Sequence, residues 1–251
     1  HKKKEFENFI ESNMQQALDS QCFEMVLQPK MDLKTNSVIA AEALVRWRLE
    51  DGTYLPPSSF VDIFEKNRFC SKLDFYMLKK AIQQIRKWID MGMNPVNISV
   101  NQSKIVFYHE NYISEIKSLL EEYNVSGSYI TLEVLGSTVI EDIDMFNSIL
   151  TEVKKLGFSV SLDDFGSGYS SLNVLSKLQI DELKIDRIFL HTKSEVDNQR
   201  TKWILESIID IAKKSQILVV VEGVESKQDD LFIKNLGADI GQGYFYGRPL
   251  S

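Results

Sequence analysis

Along the chain the hydrophobic positions switch repeatedly between two spacings, and that switching predicts the architecture. Over residues 5–18 the apolar residues Phe6, Phe9, Ile10, Met14 and Leu18 recur at three- and four-residue steps, which predicts an amphipathic helix that plugs or leads into the main fold. Short β-rich runs follow at 23–27, 38–44, 96–100, 129–134, 159–162, 182–185 and 217–221, with a weaker one at 238–240. Between most of them lie helical patterns with caps or breakers: 60–67 opened by Ser58-Ser59, 71–91 ending at Gly92, 111–123, 142–156 ending at Gly157, 170–178, 199–214, and 226–236 ending at Gly237.

Strand alternating with helix is the pattern of a largely parallel sheet. Eight strands with helical crossovers in 251 residues predict an α/β fold, a TIM-like (β/α)8 barrel. One connection departs from that scheme. Between Leu27 and Val38 the chain reads Gln28-Pro29-Lys30-Met31-Asp32-Leu33-Lys34-Thr35-Asn36-Ser37, too short for a crossover helix and rich in turn formers. The first strand should therefore pair antiparallel with the second. Residues 1–20 read as an N-terminal helix or linker remnant and residues 21–251 as a single barrel, without repeats or an internal linker.

Composition narrows the class. With 43% hydrophobic and 26% charged residues, a disordered, collagen-like or disulfide-framework chain is excluded. The balance of 29 basic against 36 acidic residues, a net charge of −7, argues against long nucleic acid as a partner. Cys22 and Cys70 lack metal or redox spacing and sit among apolar neighbours, which suits reduced thiols and a cytoplasmic setting. The longest apolar run, 217–221, stops at Glu222, so no membrane contact by this domain is expected. A start at His1-Lys2-Lys3-Lys4 rather than methionine suggests a piece of a longer polypeptide, and a cytoplasmic part of a membrane-anchored protein fits as well.

The chemistry is concentrated where the apolar runs end. They terminate in Glu42, Asn97, Glu133, Asp163-Asp164, Lys184 with Asp186, Glu222 and Gln242. A lone carboxylate at a strand exit is most often just solvated, but a parallel barrel gathers all its strand ends onto one face. Five carboxylates and an amide there make a hard-oxygen set for Mg²⁺ or Mn²⁺, and five unpaired negative charges would not be tolerated without cations. None of His1, His109 and His191 stands at a strand end, which disfavours a zinc site. Two mechanisms fit this constellation: a two-metal hydrolase acting on a phosphate ester, or an enolase-like barrel in which Lys184 abstracts a proton.

Six motifs occur in register: Ala41-Glu42-Ala43-Leu44-Val45-Arg46, Val96-Asn97-Ile98-Ser99, Asp163-Asp164-Phe165-Gly166-Ser167-Gly168, Leu183-Lys184-Ile185-Asp186, Val221-Glu222-Gly223-Val224-Glu225 and Gln242-Gly243-Tyr244. Through them the chain resembles the EAL-domain family of bacterial cyclic di-GMP phosphodiesterases and receptors, from about Phe23 to Pro249. The resemblance implies a barrel with an antiparallel first strand and hydrolysis of cyclic di-GMP to linear pGpG. It also implies one cation held by Glu42, Asn97, Glu133 and Asp163 and a second held by Asp163, Asp164 and Glu222. Lys184 resembles the lysine beside the attacking water, and Arg46 the residue that grips a substrate phosphate. Gln28, Leu44, Asp186, Glu225 and Gln242 resemble residues lining or ordering the substrate cleft. Relatives of this kind are fused to GGDEF or sensory domains, and a homodimer is compatible with the family.

One position departs from the family pattern. Active members carry a second glutamate three residues after the metal-binding one, and this chain reads Glu133-Val134-Leu135-Gly136. The resemblance implies that this glutamate anchors the loop after the Asp-Asp pair, with Ser137, Glu141 or Asp142 as substitutes here. Two classes stay open: a working or attenuated phosphodiesterase, and a weak or inactive domain that serves as a cyclic di-GMP receptor or interaction module.

Overall fold

The first strand, β1 (Phe23–Asp32), runs antiparallel to β2 (Ser37–Arg48), and the turn between them is only Leu33 to Asn36. The computed structural model that shows this describes residues 2–136, 143–165, 172–190 and 195–251. The remaining strands are β3 (Tyr54–Leu55), β4 (Asn97–Gln102), β5 (Ile130–Leu135), β6 (Ser159–Phe165), β7 (Glu182–Ile185), β8 (Leu218–Val221) and β9 (Ile240–Gln242). Strands β2 and β4 to β9 pair parallel in the order 2-4-5-6-7-8-9, and β9 then pairs antiparallel with β1, which closes the sheet. The result is a TIM-like barrel of eight strands with its first strand reversed. The two-residue β3 is a short addition to the end of β2.

Helices α1 (Lys2–Asp19), α2 (Val61–Lys66), α3 (Cys70–Asp90), α4 (Lys104–Phe107), α5 (Tyr112–Tyr123), α6 (Ile143–Lys155), α7 (Leu172–Lys177), α8 (Glu195–Lys214) and α9 (Lys227–Leu236) fill the connections. Their ends follow local chemistry. A capping box of Ser226 and Asp229 opens α9, and Gly237 closes it in the left-handed conformation at φ 85°. Helix α1 leads into the barrel wall: Ile10 is fully buried, and Phe9 stacks at 6.4 Å on Trp47. Trp47 itself is sealed among Phe23, Phe60 and Phe64, so it is a packing residue and not a platform for a base. Among the described residues, no helix is long and apolar enough to cross a membrane.

The strands bury their apolar alternate positions outward, beneath the helices. In β5, Ile130, Leu132 and Val134 are buried on that side, as are Val160 and Leu162 of β6 and Leu183 and Ile185 of β7. The other alternation points into the barrel, and there it is polar: Ser99, Thr131, Glu133, Ser161, Asp163, Glu182 and Lys184 are all buried. Barrels of this type usually fill that interior with branched apolar side chains. Here the interior holds charge.

Candidate functional site: a carboxylate cluster at the mouth of the barrel

Four strands deliver four carboxylates to one ammonium. Lys184 Nζ, on β7 and 1% exposed, lies 2.7 Å from Glu133 Oε2, 2.8 Å from Glu222 Oε1, 3.2 Å from Asp163 Oδ1 and 3.3 Å from Glu42 Oε2. Parallel pairing aligns the strand ends that make this possible: Leu135 of β5 faces Asp163 of β6, and Lys184 of β7 faces Val220, two residues before Glu222. Oxygens of Glu42, Glu133 and Asp163 lie within 4.8 Å of one another, and so do those of Asp163, Asp164 and Glu222. Asp163 belongs to both groups, the arrangement expected of a bridging ligand.

Consecutive residues of a regular strand point to opposite faces, so Asp163 and Asp164 could not both join the cluster without a distortion. The pairing of β6 with β7 is irregular between Leu162 and Phe165, and Asp164 takes φ 55°. Aspartate is among the few residues that adopt this left-handed conformation readily. The Asp164 carboxyl lies against that of Asp186, and its backbone N–H donates to Asp163 Oδ1 at 2.8 Å.

Electrostatics follow from burial. Burial raises the carboxyls of Glu42, Asp163 and Asp164, and their acidic neighbours reinforce the shift. Burial, with Asp163 and Glu42 beside it, pushes Glu222 up to about 8 in spite of Lys184. Glu133 is the exception: burial opposes its charge, but Lys184 and Lys30 together hold it down at about 2. Lys184 stays protonated, since the surrounding carboxylates outweigh its own desolvation.

Lys30 is the largest feature of the interior that the sequence reading missed. It is 0% exposed, and its Nζ donates to Ser99 Oγ (2.7 Å), Glu133 Oε1 (2.7 Å) and Glu182 Oε1 (3.1 Å). Six carboxylates, those of Glu42, Glu133, Asp163, Asp164, Glu222 and Glu182, therefore share two ammonium groups. With Asp186 against Asp164 as well, carboxylates outnumber ammonium groups, a balance that divalent cations would redress. The donors are carboxylate and amide oxygens, with no histidine or cysteine among them, a set that fits Mg²⁺ or Mn²⁺.

Asn97 is not brought to this cluster. It is the first residue of β4, and its side chain pairs with Ser128 O and Thr131 Oγ1 at the opposite end of the barrel. Four residues along the same face, about 13 Å at strand rise, Asn101 donates to Glu42 Oε1 at 2.9 Å. Asn101 pairs in register with Glu133 and is the amide of the site. The pattern Val-Asn-x-Ser occurs twice in succession, as Val96-Asn97-Ile98-Ser99 and Val100-Asn101-Gln102-Ser103, and the sequence reading took the first copy, whereas β4 begins at Asn97 and brings the second to the site.

The other expected residues ring the mouth. Gln242 Nε2 donates to Glu42 Oε2 at 2.6 Å and to Gln28 Oε1 at 3.3 Å, while Gln242 Oε1 is buried with no partner among the described residues. Arg46 and Leu44 share the inward alternation of β2 with Glu42, and among the described residues the Arg46 fork makes one hydrogen bond, to Val45 O at 2.8 Å. Asp186 accepts from Ile188 N at 2.7 Å and caps the turn after β7. Glu225 is exposed on the rim, with its backbone N–H bound to Asp229, and lines the cavity beside Glu222. Tyr246 donates to Asp230, whereas Tyr244 is exposed with the Arg248 guanidinium 4.7 Å above its ring. Two cavities flank the cluster. One of about 280 Å³ is lined by Gln28, Asp164, Glu222, Gln242 and Tyr244, and one of about 260 Å³ by Leu44, Pro57, Phe64, Asn101 and Glu133. Gly136 is buried at the end of β5. Ser137, Glu141, Asp142 and the Gly166-Ser167-Gly168 turn lie outside the described residues.

Comparison with known proteins agrees with this geometry. The family model described as EAL domain matches residues 11–249. The bifunctional diguanylate cyclase/cyclic di-GMP phosphodiesterase MucR of Pseudomonas aeruginosa is 32% identical over 238 residues, covering 95% of this chain and 34% of its own length. Cyclic di-GMP phosphodiesterase PdeR of Escherichia coli is 29% identical over 243 residues, 96% of this chain and 36% of its own. The chain thus spans about a third of the length of these relatives. The solved structure of the PaMucR phosphodiesterase in complex with c-di-GMP superposes with a TM-score of 0.88 at 31% identity, covering 96% of this chain and 97% of that one. With the family matched over nearly its whole length and its barrel shared, the chain belongs to the EAL domain family.

Proposed function

We propose that this chain is a cyclic di-GMP phosphodiesterase domain that opens the cyclic dinucleotide to linear pGpG. The observation that carries the reading is Lys184 held among four carboxylates from four strands at the mouth of the barrel. Glu42, Asn101, Glu133 and Asp163 would hold one divalent cation, and Asp163, Asp164 and Glu222 a second, with Asn101 taking the place expected for Asn97. A Mg²⁺ or Mn²⁺ ion held by these residues would supply activation of water and charge neutralisation at the phosphodiester. An enolase-like role for Lys184 is disfavoured by the same geometry, because an ammonium bound to four carboxylates is a poor base.

The chain's own groups divide the remaining work. Lys184 keeps its charge and is fixed in place, so it orients the attacking water and offsets the negative charge that develops on phosphorus. Arg46 has donors left to bind a phosphate oxygen with its planar fork. Gln28 and Gln242 line the cavity beside Asp164 and Glu222, where Gln242 Oε1 can accept from a ligand hydroxyl or amide. The two cavities beside the cluster suit a cyclic dinucleotide with one of its two phosphodiesters at the carboxylates and a base directed to each cavity.

The test is incubation of the purified domain with cyclic di-GMP and Mg²⁺ or Mn²⁺, with chromatographic separation of the nucleotides. The expected product is pGpG from the wild type and none from Glu42→Ala. Binding of cyclic di-GMP without turnover would instead identify a receptor. The free thiols Cys22 and Cys70 support a reducing, cytoplasmic compartment. The two activities named for the MucR relative support a diguanylate cyclase or sensory domain on the same polypeptide, and we place homodimer formation in the same proposal.

A further inference from the structure

Beneath the cluster, Lys30 spans the inside of the barrel from β1 to β5 and β7. Its three ammonium hydrogens are all used, by Ser99 Oγ, Glu133 Oε1 and Glu182 Oε1, and Ser161 Oγ adds a bond to Glu182 at 2.9 Å. The strand is built to admit this side chain. Its register partner on β2 is the small Ala40, and the β1–β2 pairing shifts just after Lys30, a bulge of the kind that re-aims a side chain. The two oxygens of Glu133 are thereby divided: Oε1 is held from below by Lys30 at 2.7 Å, and Oε2 is turned up to the cluster at 2.7 Å from Lys184.

We infer that Lys30 is a positioning residue for metal binding, which fixes the rotation of the Glu133 carboxylate so that Oε2 alone is presented to the cation. The inference rests on the reading of the cluster as a metal centre. A buried ion pair with Glu182 is not by itself a stabilising device, because replacing such a pair with neutral residues is often neutral or favourable. What the Lys30 ammonium does that a neutral core could not is hold one named oxygen of a ligand. A groups-behind-the-ligand arrangement of this kind typically changes metal affinity by about 10–100-fold when removed.

The experiment compares Lys30→Met, Glu182→Gln and the pair Lys30→Met/Glu182→Gln. Three quantities are read: Mn²⁺ affinity by calorimetry, the paramagnetic resonance spectrum of bound Mn²⁺, and the melting temperature without metal. Lys30→Met leaves Glu182 uncompensated and should lower both affinity and melting temperature. The pair removes both charges, so the melting temperature should recover while Mn²⁺ affinity stays about tenfold or more below wild type, with an altered resonance spectrum. In the nucleotide assay the metal dependence of kcat should move to higher Mn²⁺ and KM for the dinucleotide should not change. Wild-type Mn²⁺ affinity in the folded pair overturns the inference, since Lys30 would then only neutralise Glu182. Should the Met pair fail to fold, Lys30→Gln/Glu182→Gln keeps the core polar and neutral, and the same affinity comparison decides. If the wild type binds no Mn²⁺, the metal reading fails and takes this inference with it, an outcome distinct from wild-type affinity in a variant.

Discussion

Asn97 and Asn101 have the same chemistry on the same face of β4, and only their height in the barrel separates a strand-start asparagine from a site residue. Asn101→Ala should lower Mn²⁺ affinity by about tenfold or more, and Asn97→Ala should leave it unchanged. Equal losses in the two, measured by calorimetry, would remove the distinction. A second residue-scale outcome concerns Asp74 on α3, which accepts from Ser103 N at 2.8 Å and from Ser103 Oγ just past the end of β4. Burial pushes its carboxyl up to about 7 despite those bonds, against an ordinary 3.8. Between these values the folded protein binds the proton and the unfolded chain does not, so this residue's contribution to stability falls as pH rises from about 4 to about 7. Asp74→Asn should flatten the dependence of melting temperature on pH in that window. An identical slope in wild type and variant would show that Asp74 titrates normally.

At the level of the element, the strands that build the site outlast their apolar runs. β4 continues through Asn101 and Gln102, β6 through Asp163 and Asp164, and β9 through Gln242. Of these residues Asn101, Asp163 and Gln242 turn inward to Glu42 or Lys184, whereas Gln102 is buried on the outer side, where it donates to Asp74 O and accepts from the Tyr112 hydroxyl. The exit of β8 has its own constraint. Gly223, next to Glu222, sits at φ 71°, and a Cβ there would lie 2.2 Å from Arg187 Cβ on the turn after β7. Gly223→Ala combines backbone strain with overlap and should cost at least about 2 kcal/mol in urea unfolding. Gly52→Ala is the control: at φ 82° with nothing within 4 Å, it should cost only about 1 kcal/mol. Equal losses at the two sites would mean that the β8 exit yields without strain.

For the whole molecule, the proposed metal site would couple barrel closure to cation binding, because its residues come from β2, β4, β5, β6 and the exit of β8. An unfolded chain cannot assemble them, so on this proposal a cation would bind the native state only. At a hundred times its dissociation constant, Mn²⁺ should stabilise by about 2.7 kcal/mol, which for a chain of this length raises the melting temperature by roughly 5–10 °C. Calorimetric scans with and without Mn²⁺ test this, and Glu42→Ala should show no rise. A wild type whose melting temperature ignores Mn²⁺ would disprove coupling between the cluster and a cation.

The alternation of strand and helix, the reversed first strand, and the identities of Glu42, Glu133, Asp163, Asp164, Lys184 and Glu222 were all legible in the chain. Each depends on local information: periodicity, a short connection, or a charged residue just beyond an apolar run. Three matters depended on tertiary structure. The height of each residue in the barrel comes from the register between strands distant in sequence, and it exchanged Asn97 for Asn101. The path of β1 was another, since residues that resemble a turn by composition, Gln28 to Asp32, are held extended by strands on both sides. The third was the role of Lys30, which lies in the connection that the sequence reading placed between the first two strands. Only closure of the barrel puts its ammonium in a dry interior beside Glu133 and Glu182, because a buried charge is acceptable only where distant strands bring its partners to it.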